Sequence, residues 1–329
     1  MENQLTVENR ILLTELSDGL RFGYPDESIQ NLKLGIKSDK KYFPAEFSYD
    51  DKGSVYFDRF VETKEYYLPQ KEIEILKKYK DSIREITGNC DIYEVGAGSS
   101  KKSKILLESY NRKFDKVNFY PIDINAAIMI EGAKKYISEL KNVHVNCIAG
   151  AYSDVFVNRI THNNTQSLFL LIGSSISQES DDNLLRDIRG QLDKGGFLLL
   201  SYDLQKDPEI LRKAYLNYEA SMCSLNVLDH LNDVFGTEFK KDNFEFDVLY
   251  NPEHKGCETH LRSRIDQEHT FEKLGVTLSL AKGESVCTGV QRKFNSNDMR
   301  KRLKGVGFEQ VESFTDADGW YATVLFRAI

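Results

Sequence analysis

The stretch Asp91-Ile-Tyr-Glu-Val-Gly-Ala-Gly-Ser-Ser100, followed by Lys101-Lys-Ser-Lys-Ile-Leu-Leu107, decides how the rest of the chain is read. Residues 92–95 form a short buried strand that runs into a glycine turn, and a helix is expected to begin near Ser100. Glu94 closes the strand. The turn has the form E-x-G-x-G rather than the G-x-G-x-x-G of dinucleotide-binding folds. Gly96 and Gly98 let the backbone approach a ligand closely. The third glycine, which lets a helix pack tightly beside a pyrophosphate, is replaced by a polar Ser-Ser-Lys-Lys run. The turn therefore suits a nucleoside with a compact amino-acid tail better than a dinucleotide, which is the pattern of S-adenosylmethionine (SAM). A plain turn between a buried strand and a helix is the competing reading.

Length and composition narrow the partners. A chain of 329 residues implies one large domain or two intimately joined ones. With 40% apolar and 29% charged residues it can bury a sizeable core. A formal charge of -7 argues against nucleic acid or an anionic membrane and leaves a small molecule as the expected partner. Cys90, Cys147, Cys223, Cys257 and Cys287 are odd in number and lack C-x-x-C spacing, so neither a disulfide framework nor a structural zinc is expected. No basic leader with an apolar stretch opens the sequence, and no apolar run reaches about 18 residues. A cytoplasmic protein, monomeric or weakly dimeric, is the expectation.

Outward from the turn, a helix over 70–86 leads into the first strand, and short helices are expected at 9–20 and 28–35. Between them lies Phe43-Pro-Ala-Glu-Phe-Ser-Tyr-Asp-Asp-Lys-Gly-Ser-Val-Tyr-Phe-Asp58, then Glu65-Tyr-Tyr-Leu-Pro69. Tyr49, Tyr56, Tyr66 and Tyr67 either pack in a core, as buried tyrosines ordinarily do, or belong to an irregular lid over a ligand. Downstream, 117–125 is a second strand ending in Asp123. That acid has two readings, a partner for ribose hydroxyls and an N-cap for the helix expected over 126–140. Strands at 143–149, 167–172 and 195–201 follow, with a helix at 184–192. The fourth strand empties into Ser174-Ser-Ile-Ser-Gln178, a polar loop suited to substrate groups. This alternation predicts an α/β fold with a doubly wound, mainly parallel Rossmann-like sheet.

From 207 the texture changes. Residues 211–235 read as two helices, one holding both Tyr215 and Tyr218. Runs at 244–250, 260–264, 268–271, 276–280 and 285–294 alternate in the antiparallel manner. A helix over 296–306 and a strand pair, 308–314 with 321–327, are expected to rejoin the first sheet. Residues 205–293 are then an α+β insertion, and the expected division is 1–70 with 205–293, and 71–204 with 294–329.

The order of Phe47-Ser-Tyr-Asp-Asp-Lys-Gly-Ser-Val-Tyr-Phe-Asp58, Glu65-Tyr-Tyr-Leu-Pro69, Glu94-Val-Gly-Ala-Gly-Ser-Ser100, Ile172-Gly-Ser-Ser-Ile176, Asp203-Leu-Gln-Lys-Asp207, Leu261-Arg-Ser-Arg264 and Arg292-Lys-Phe294 resembles the histidine-specific SAM-dependent methyltransferase family. The resemblance runs from about residue 40 onward. It implies that 71–204 with 294–329 bind SAM, and that the remainder binds an amino acid whose amine receives up to three methyl groups. Gly96, Gly98, Lys102, Asp123 and Tyr152 would hold SAM. Tyr49, Tyr66, Gly173, Ser175, Gln178 and Tyr215 would surround the amino acid's amine and carboxylate, with Tyr66 nearest the nitrogen, Tyr49 and Gln178 on the carboxylate, and Tyr215 closing the pocket.

The departures bear on substrate. Ala151 stands where the family has an acid that contacts adenine, with Ser153 or Asp154 as substitutes. Ser177-Gln178 replaces a Gly-Asn pair. Gly289 and Gln291, in Thr288-Gly-Val-Gln291, stand where histidine enzymes supply a carboxylate and a hydroxyl to the imidazole, and Thr259 replaces a bulky apolar residue. A buried site built to hydrogen-bond one group discriminates by about 10⁴ when that match is absent. The expected substrate is therefore larger and less basic than histidine, tryptophan-like or tyrosine-like. Histidine, another amine of specialised metabolism, and a noncatalytic SAM-binding role supported by Ala151 are the alternatives.

Other residues carry bland readings beside functional ones. The six histidines are dispersed without ligand spacing, so no metal is expected. Arg262 and Arg264 read as ion-pair partners or as a carboxylate clamp. Lys102 is a solvated helix start or a SAM contact. Cys257 and Cys287 have no evident base and are not expected to act as nucleophiles.

Overall fold

A computed structural model describes residues 2–8, 10–16, 22–162, 165–178 and 182–329, without the side chains of 2–8 and 153. Its elements begin with β1 (Glu2–Glu8), β2 (Ile11–Leu16), α1 (Asp26–Lys37), α2 (Asp51–Val61), α3 (Leu68–Thr87), β3 (Asp91–Val95), α4 (Ser103–Lys113) and β4 (Val117–Asp123). They continue with α5 (Ala126–Ile137), β5 (Val143–Ala149), α6 (Tyr152–Val155), β6 (Ser167–Leu171), α7 (Asn183–Gln191), β7 (Phe197–Asp203), α8 (Pro208–Tyr215) and α9 (Tyr218–Phe235). The last are β8 (Phe244–Asn251), β9 (Gly256–Ser263), β10 (Gln267–Phe271), β11 (Val276–Leu280), β12 (Ser285–Gln291), α10 (Ser296–Gly305), β13 (Phe308–Thr315) and β14 (Tyr321–Ala328). No described helix is long and apolar enough to cross a membrane.

The chain divides into two compact units at 18/19, 67/68, 204/205 and 293/294. In the first, nine strands form one sheet in the order β1-β2-β5-β4-β3-β6-β7-β14-β13. Strand β3 pairs in parallel with both β4 and β6, so the winding reverses beside it. In open α/β sheets ligands bind at the carboxyl end of such a switch point, and the glycine turn leaves β3 there. Every residue of β3, β6 and β7 is buried, as strands covered on both faces must be. Tyr93 stacks between Tyr120 and Phe169, at centroid distances of 4.5 and 4.9 Å, and anchors a core that includes Val95, Leu171, Leu200, Met299 and Phe326.

The helix expected over 9–20 is overturned where it is described, since Ile11–Leu16 is strand β2, paired in parallel with β5 from Ile11↔Val145 to Glu15↔Ala149. Residues 9 and 17–20 lie outside the described residues. The edge of β5 supplies hydrogen-bond partners that a local pattern cannot reveal, and Arg10 fastens the strand by donating to the carbonyls of Ile137, Leu140 and Val143 at 2.7–3.1 Å. This pairing also moves the described residues 2–16 into the first unit, against the expectation that 1–70 fold with the insertion. At the opposite edge, β14 pairs antiparallel with β7 and with β13.

The second unit sets α1, α2, α8 and α9 with an antiparallel sheet β12-β9-β8 and a hairpin β10-β11. Ile29, Leu32, Phe43, Phe47, Leu228, Leu231, Phe235, Phe271 and Val286 form its core. The stretch read either as packed tyrosines or as an irregular lid contains α2, and beyond it Tyr66 and Tyr67 are buried. Asp50 caps that helix by accepting from Gly53 N at 2.7 Å, and the same oxygen accepts from Asn226 Nδ2 at 2.6 Å. Gly53 is required sterically, because a methyl there would lie 1.8 Å from Ser48 O. Asp50-Asp-Lys-Gly53, residue types common in turns, is thus a helix start. Tyr215 and Tyr218 do not share a helix, since Tyr215 ends α8 and Asn217 caps α9 by accepting from Ala220 N at 2.9 Å.

Candidate active site

The turn after β3 is held open from beneath. Gly96 and Ala97 both donate to Ile122 O, at 3.0 and 3.1 Å. Gly96 and Gly98 adopt φ of +70° and +50°, and Ser100 follows at +52°, so α4 opens three residues later than the sequence suggests. Asp123 Oδ2 accepts from Gly98 N at 2.9 Å and Oδ1 from Asn125 N at 3.0 Å. A carboxylate has about four acceptor positions, which leaves two for the vicinal hydroxyls of a ribose. The capping role that Asp123 could have played falls to Asn125, which accepts from Ile128 N at 3.2 Å. Close packing against the turn comes from another helix: a methyl on Gly132 of α5 would lie 2.4 Å from Ser99 O. The glycine missing from the loop is present across from it.

Two further contacts gather predicted residues at this turn. A methyl on Gly96 would lie 2.7 Å from the Tyr152 hydroxyl and 3.5 Å from Ser175 Oγ, and one on Gly173 would lie 2.5 Å from Lys102 Nζ. Gly96, Tyr152 and Ser175 therefore meet, as do Lys102 and Gly173. Gln178 is exposed at the end of the same loop. Ala151 precedes α6, whose third residue is Asp154, and the side chain of Ser153 lies outside the described residues.

Sequence reasoning missed Glu72. This residue of α3 is 1% exposed, and its two oxygens accept from Lys102 Nζ at 2.7 Å and Gly173 N at 2.8 Å. A signal existed, because Glu72 falls on the buried stripe with Leu68, Ile75 and Leu76.

Glu94, 2% exposed, has one oxygen without a hydrogen-bond partner among the described residues, as have the hydroxyls of Ser100, Ser103 and Tyr136. Burial pushes its carboxyl up to about 7, against the pull of the neighbouring serines and Lys102. Folded protein then keeps a proton on Glu94 that unfolded protein loses above 4.5, so stability falls as pH rises from 4.5 to about 7. Glu94→Gln is expected to flatten that segment of the melting-temperature profile without ligand, recovering up to about 3 kcal/mol at neutral pH. A profile as steep as that of the unaltered protein would contradict this. The left-handed glycines, the orphaned carboxyl oxygen, and an acid and a lysine on either side of the turn fit a nucleoside with a zwitterionic tail.

The remaining predicted residues lie in the second unit. Tyr66 and Tyr215, 6% and 3% exposed, pack edge to face with centroids 5.4 Å apart, and Phe60 lies 4.2 Å from Tyr66. Tyr49 stands at the more open end of this row, 5.6 Å from Phe57. Buried Lys293 donates to the Tyr215 hydroxyl at 2.8 Å. Thr259, Gly289 and Gln291 also converge, since a methyl on Gly289 would lie 3.0 Å from Thr259 Oγ1 and 3.6 Å from Gln291 Nε2. A register shift between Cys287 and Gly289 places Gly289 directly opposite Thr259.

Two features elsewhere are explained without chemistry. Ligand atoms of Glu258, His260 and Cys287 lie within 4.8 Å of one another. Glu258 already accepts from Asn251 at 2.7 Å and pairs with His254 and His260, while burial pushes the Cys287 thiol up to about 12. A cavity of about 470 Å³, lined by Asp91, Asn118, His144 and His162, lies at the amino ends of the strands, away from the glycine turn.

Residues 28–328 match the model of a family described as histidine-specific methyltransferase, SAM-dependent. The histidine N-alpha-methyltransferase of Mycolicibacterium smegmatis is 26% identical over 295 residues, which cover 88% of this chain and 91% of that protein. Ergothioneine biosynthesis protein 1 of Schizosaccharomyces pombe is 30% identical over 63% of this chain and 29% of its own length. The 4-dimethylallyltryptophan N-methyltransferase easF of Claviceps fusiformis is 27% identical over 58% of this chain and 56% of its own length. A family match over most of the chain joins a parallel sheet whose switch point carries Gly96, Gly98, Lys102 and Asp123. The chain belongs to the histidine-specific SAM-dependent methyltransferase family and is a SAM-dependent N-methyltransferase.

Proposed function

We propose that the methyl acceptor is the α-amine of a free amino acid or amino-acid-derived metabolite, larger and less basic than histidine, with tryptophan-like or tyrosine-like compounds the best candidates. The observation that carries this reading is the convergence of Thr259, Gly289 and Gln291, a set with no carboxylate to pair an imidazolium and with one side chain reduced to hydrogen. The name of the Claviceps relative, which acts on a tryptophan derivative, is in keeping with it.

Bound SAM supplies an electrophilic methyl group on a sulfonium. The chain's own contribution is to orient the amine and present it unprotonated. Orientation can supply about 7–11 kcal/mol of such a barrier. Burial beside Phe60, Tyr66 and Tyr215 strips water from an ammonium and so favours the neutral nitrogen, with the Tyr66 hydroxyl in the role of acceptor from it. Tyr49 and Gln178 are assigned to the carboxylate, Gly173 and Ser175 to the amino acid's backbone atoms, and Tyr215 to closing the site. Lys102, Asp123 and the turn at Gly96 and Gly98 hold SAM, and Tyr152 borders Gly96.

Two measurements test this. Methylation assays over the twenty amino acids are expected to rank tryptophan or tyrosine above histidine, and histidine as the best substrate refutes the proposal. Tyr66→Phe is expected to slow the first methylation by about 10²-fold, and an unchanged rate removes Tyr66 from that role.

A further inference from the structure

We propose that Glu72 is a positioning residue that couples the cofactor lysine to the substrate loop 173–178. Its two carboxylate oxygens hold separate objects: Oε2 accepts from Lys102 Nζ at 2.7 Å, and Oε1 from the backbone N–H of Gly173 at 2.8 Å. The carboxylate is buried at 1% exposure, whereas the Lys102 side chain is 28% exposed. A buried carboxylate is costly unless its oxygens are partnered, and here one partner is a flexible side chain and the other is fixed backbone. The proposal rests on the assignment of Lys102 to the SAM carboxylate.

The loop shows why such a tie is needed. Gly173 and Ser174 are consecutive left-handed residues at φ of +77° and +61°, a conformation that a non-glycine residue adopts at a cost. Ser174 Oγ is within hydrogen-bond distance of Tyr321 OH at 2.9 Å, and Glu72 anchors the preceding amide. Glycine at 173 leaves the space in which the Lys102 ammonium lies, since a methyl there would come within 2.5 Å of Nζ. An ammonium has three donor hydrogens. One directed at Glu72 fixes the direction of the other two, so a ligand carboxylate meets a lysine already aimed. Loss of Glu72 frees the lysine and the loop together. Binding of SAM and of the amino acid are then linked through one side chain, and such linkage is reciprocal.

A double-mutant cycle read by calorimetric titration with S-adenosylhomocysteine tests this. Glu72→Gln, which keeps shape but removes the ion pair, is expected to weaken binding about tenfold. In the Lys102→Met background the same change is expected to cost less than about twofold, because its effect runs through the lysine. Without ligand, exchange of the Gly173 amide hydrogen is expected to speed at least about tenfold in Glu72→Ala, a readout independent of turnover. Melting curves identify variants that fail to fold, and Glu72→Leu, which also lacks an acceptor for the Gly173 amide, stands in if Glu72→Ala does. Affinity within twofold of the unaltered enzyme in Glu72→Gln, or losses that simply add in the double variant, overturns the coupling. If the unaltered enzyme takes up no S-adenosylhomocysteine, the cofactor assignment of Lys102 fails and the proposal with it.

Discussion

Gly289→Glu combined with Gln291→Ser is expected to raise kcat/KM for histidine by about 10² or more and to lower that for the larger amino acid proposed as substrate by a comparable factor. The double change supplies a carboxylate and a hydroxyl at the two β12 positions to which the family resemblance assigns imidazole recognition. A carboxylate placed against a ring cation in a water-poor pocket is worth more than a neutral hydrogen bond. Its absence leaves the ring's N–H groups unpaired, and a site lacking a matched polar partner discriminates steeply. Space is the second half of the argument. A side chain at 289 enters 3.0 Å from Thr259 Oγ1 and 3.6 Å from Gln291 Nε2. Gln291→Ser clears one neighbour, and the Thr259 hydroxyl, 3.0 Å from Thr288 Oγ1, must turn aside. The check is competition between histidine and tryptophan in one vessel, scored by product mass. An unchanged product ratio would mean that these strand positions do not read the substrate side chain.

Asp123→Ala lowers affinity for S-adenosylhomocysteine by about 10²–10⁴-fold, at about 1.5–3 kcal/mol for each of two hydrogen bonds to the charged group. Two bonds are visible already. The carboxylate holds Gly98 N at 2.9 Å and Asn125 N at 3.0 Å, so it shapes the turn and the start of α5 before any ligand arrives. The ribose hydroxyls add a third and fourth in the proposed complex. Asp123→Asn separates the two contributions, because an amide keeps one acceptor oxygen but presents N–H to a partner that also donates. Calorimetry on both variants, with melting curves as control for folding, checks the expectation. Full affinity in Asp123→Ala would show that the nucleoside is held elsewhere.

The parts of the fold visible in the sequence are those written in short-range pattern. The largely apolar runs 92–95 and 167–172 became β3 and β6 because a strand buried on both faces needs no alternation, and the acid Asp123 was legible from its place at the end of the second strand. Gly96 and Gly98, read as letting the backbone approach a ligand, adopt the left-handed conformation that glycine permits. Helix α2 was hidden for a local reason as well, since Asp50, Asp51 and Gly53 satisfy a turn and a helix start equally, and only the carbonyl of Ser48 against Gly53 and the amide of Asn226 select the helix.

By itself the amino-acid order determined that a strand, a glycine elbow and an acid one strand further on would form a nucleoside-shaped end to a parallel sheet, because spacing along one chain sets all three. Only the tertiary structure decided that 11–16 is a strand, that Gly132 supplies the close approach the loop lacks, and that Glu72 joins Lys102 to Gly173. Each of these depends on a hydrogen-bond or packing partner dozens of residues away. The free energy of a buried edge, a backbone contact or a paired carboxylate is set by what folding brings beside it, not by its neighbours in the chain.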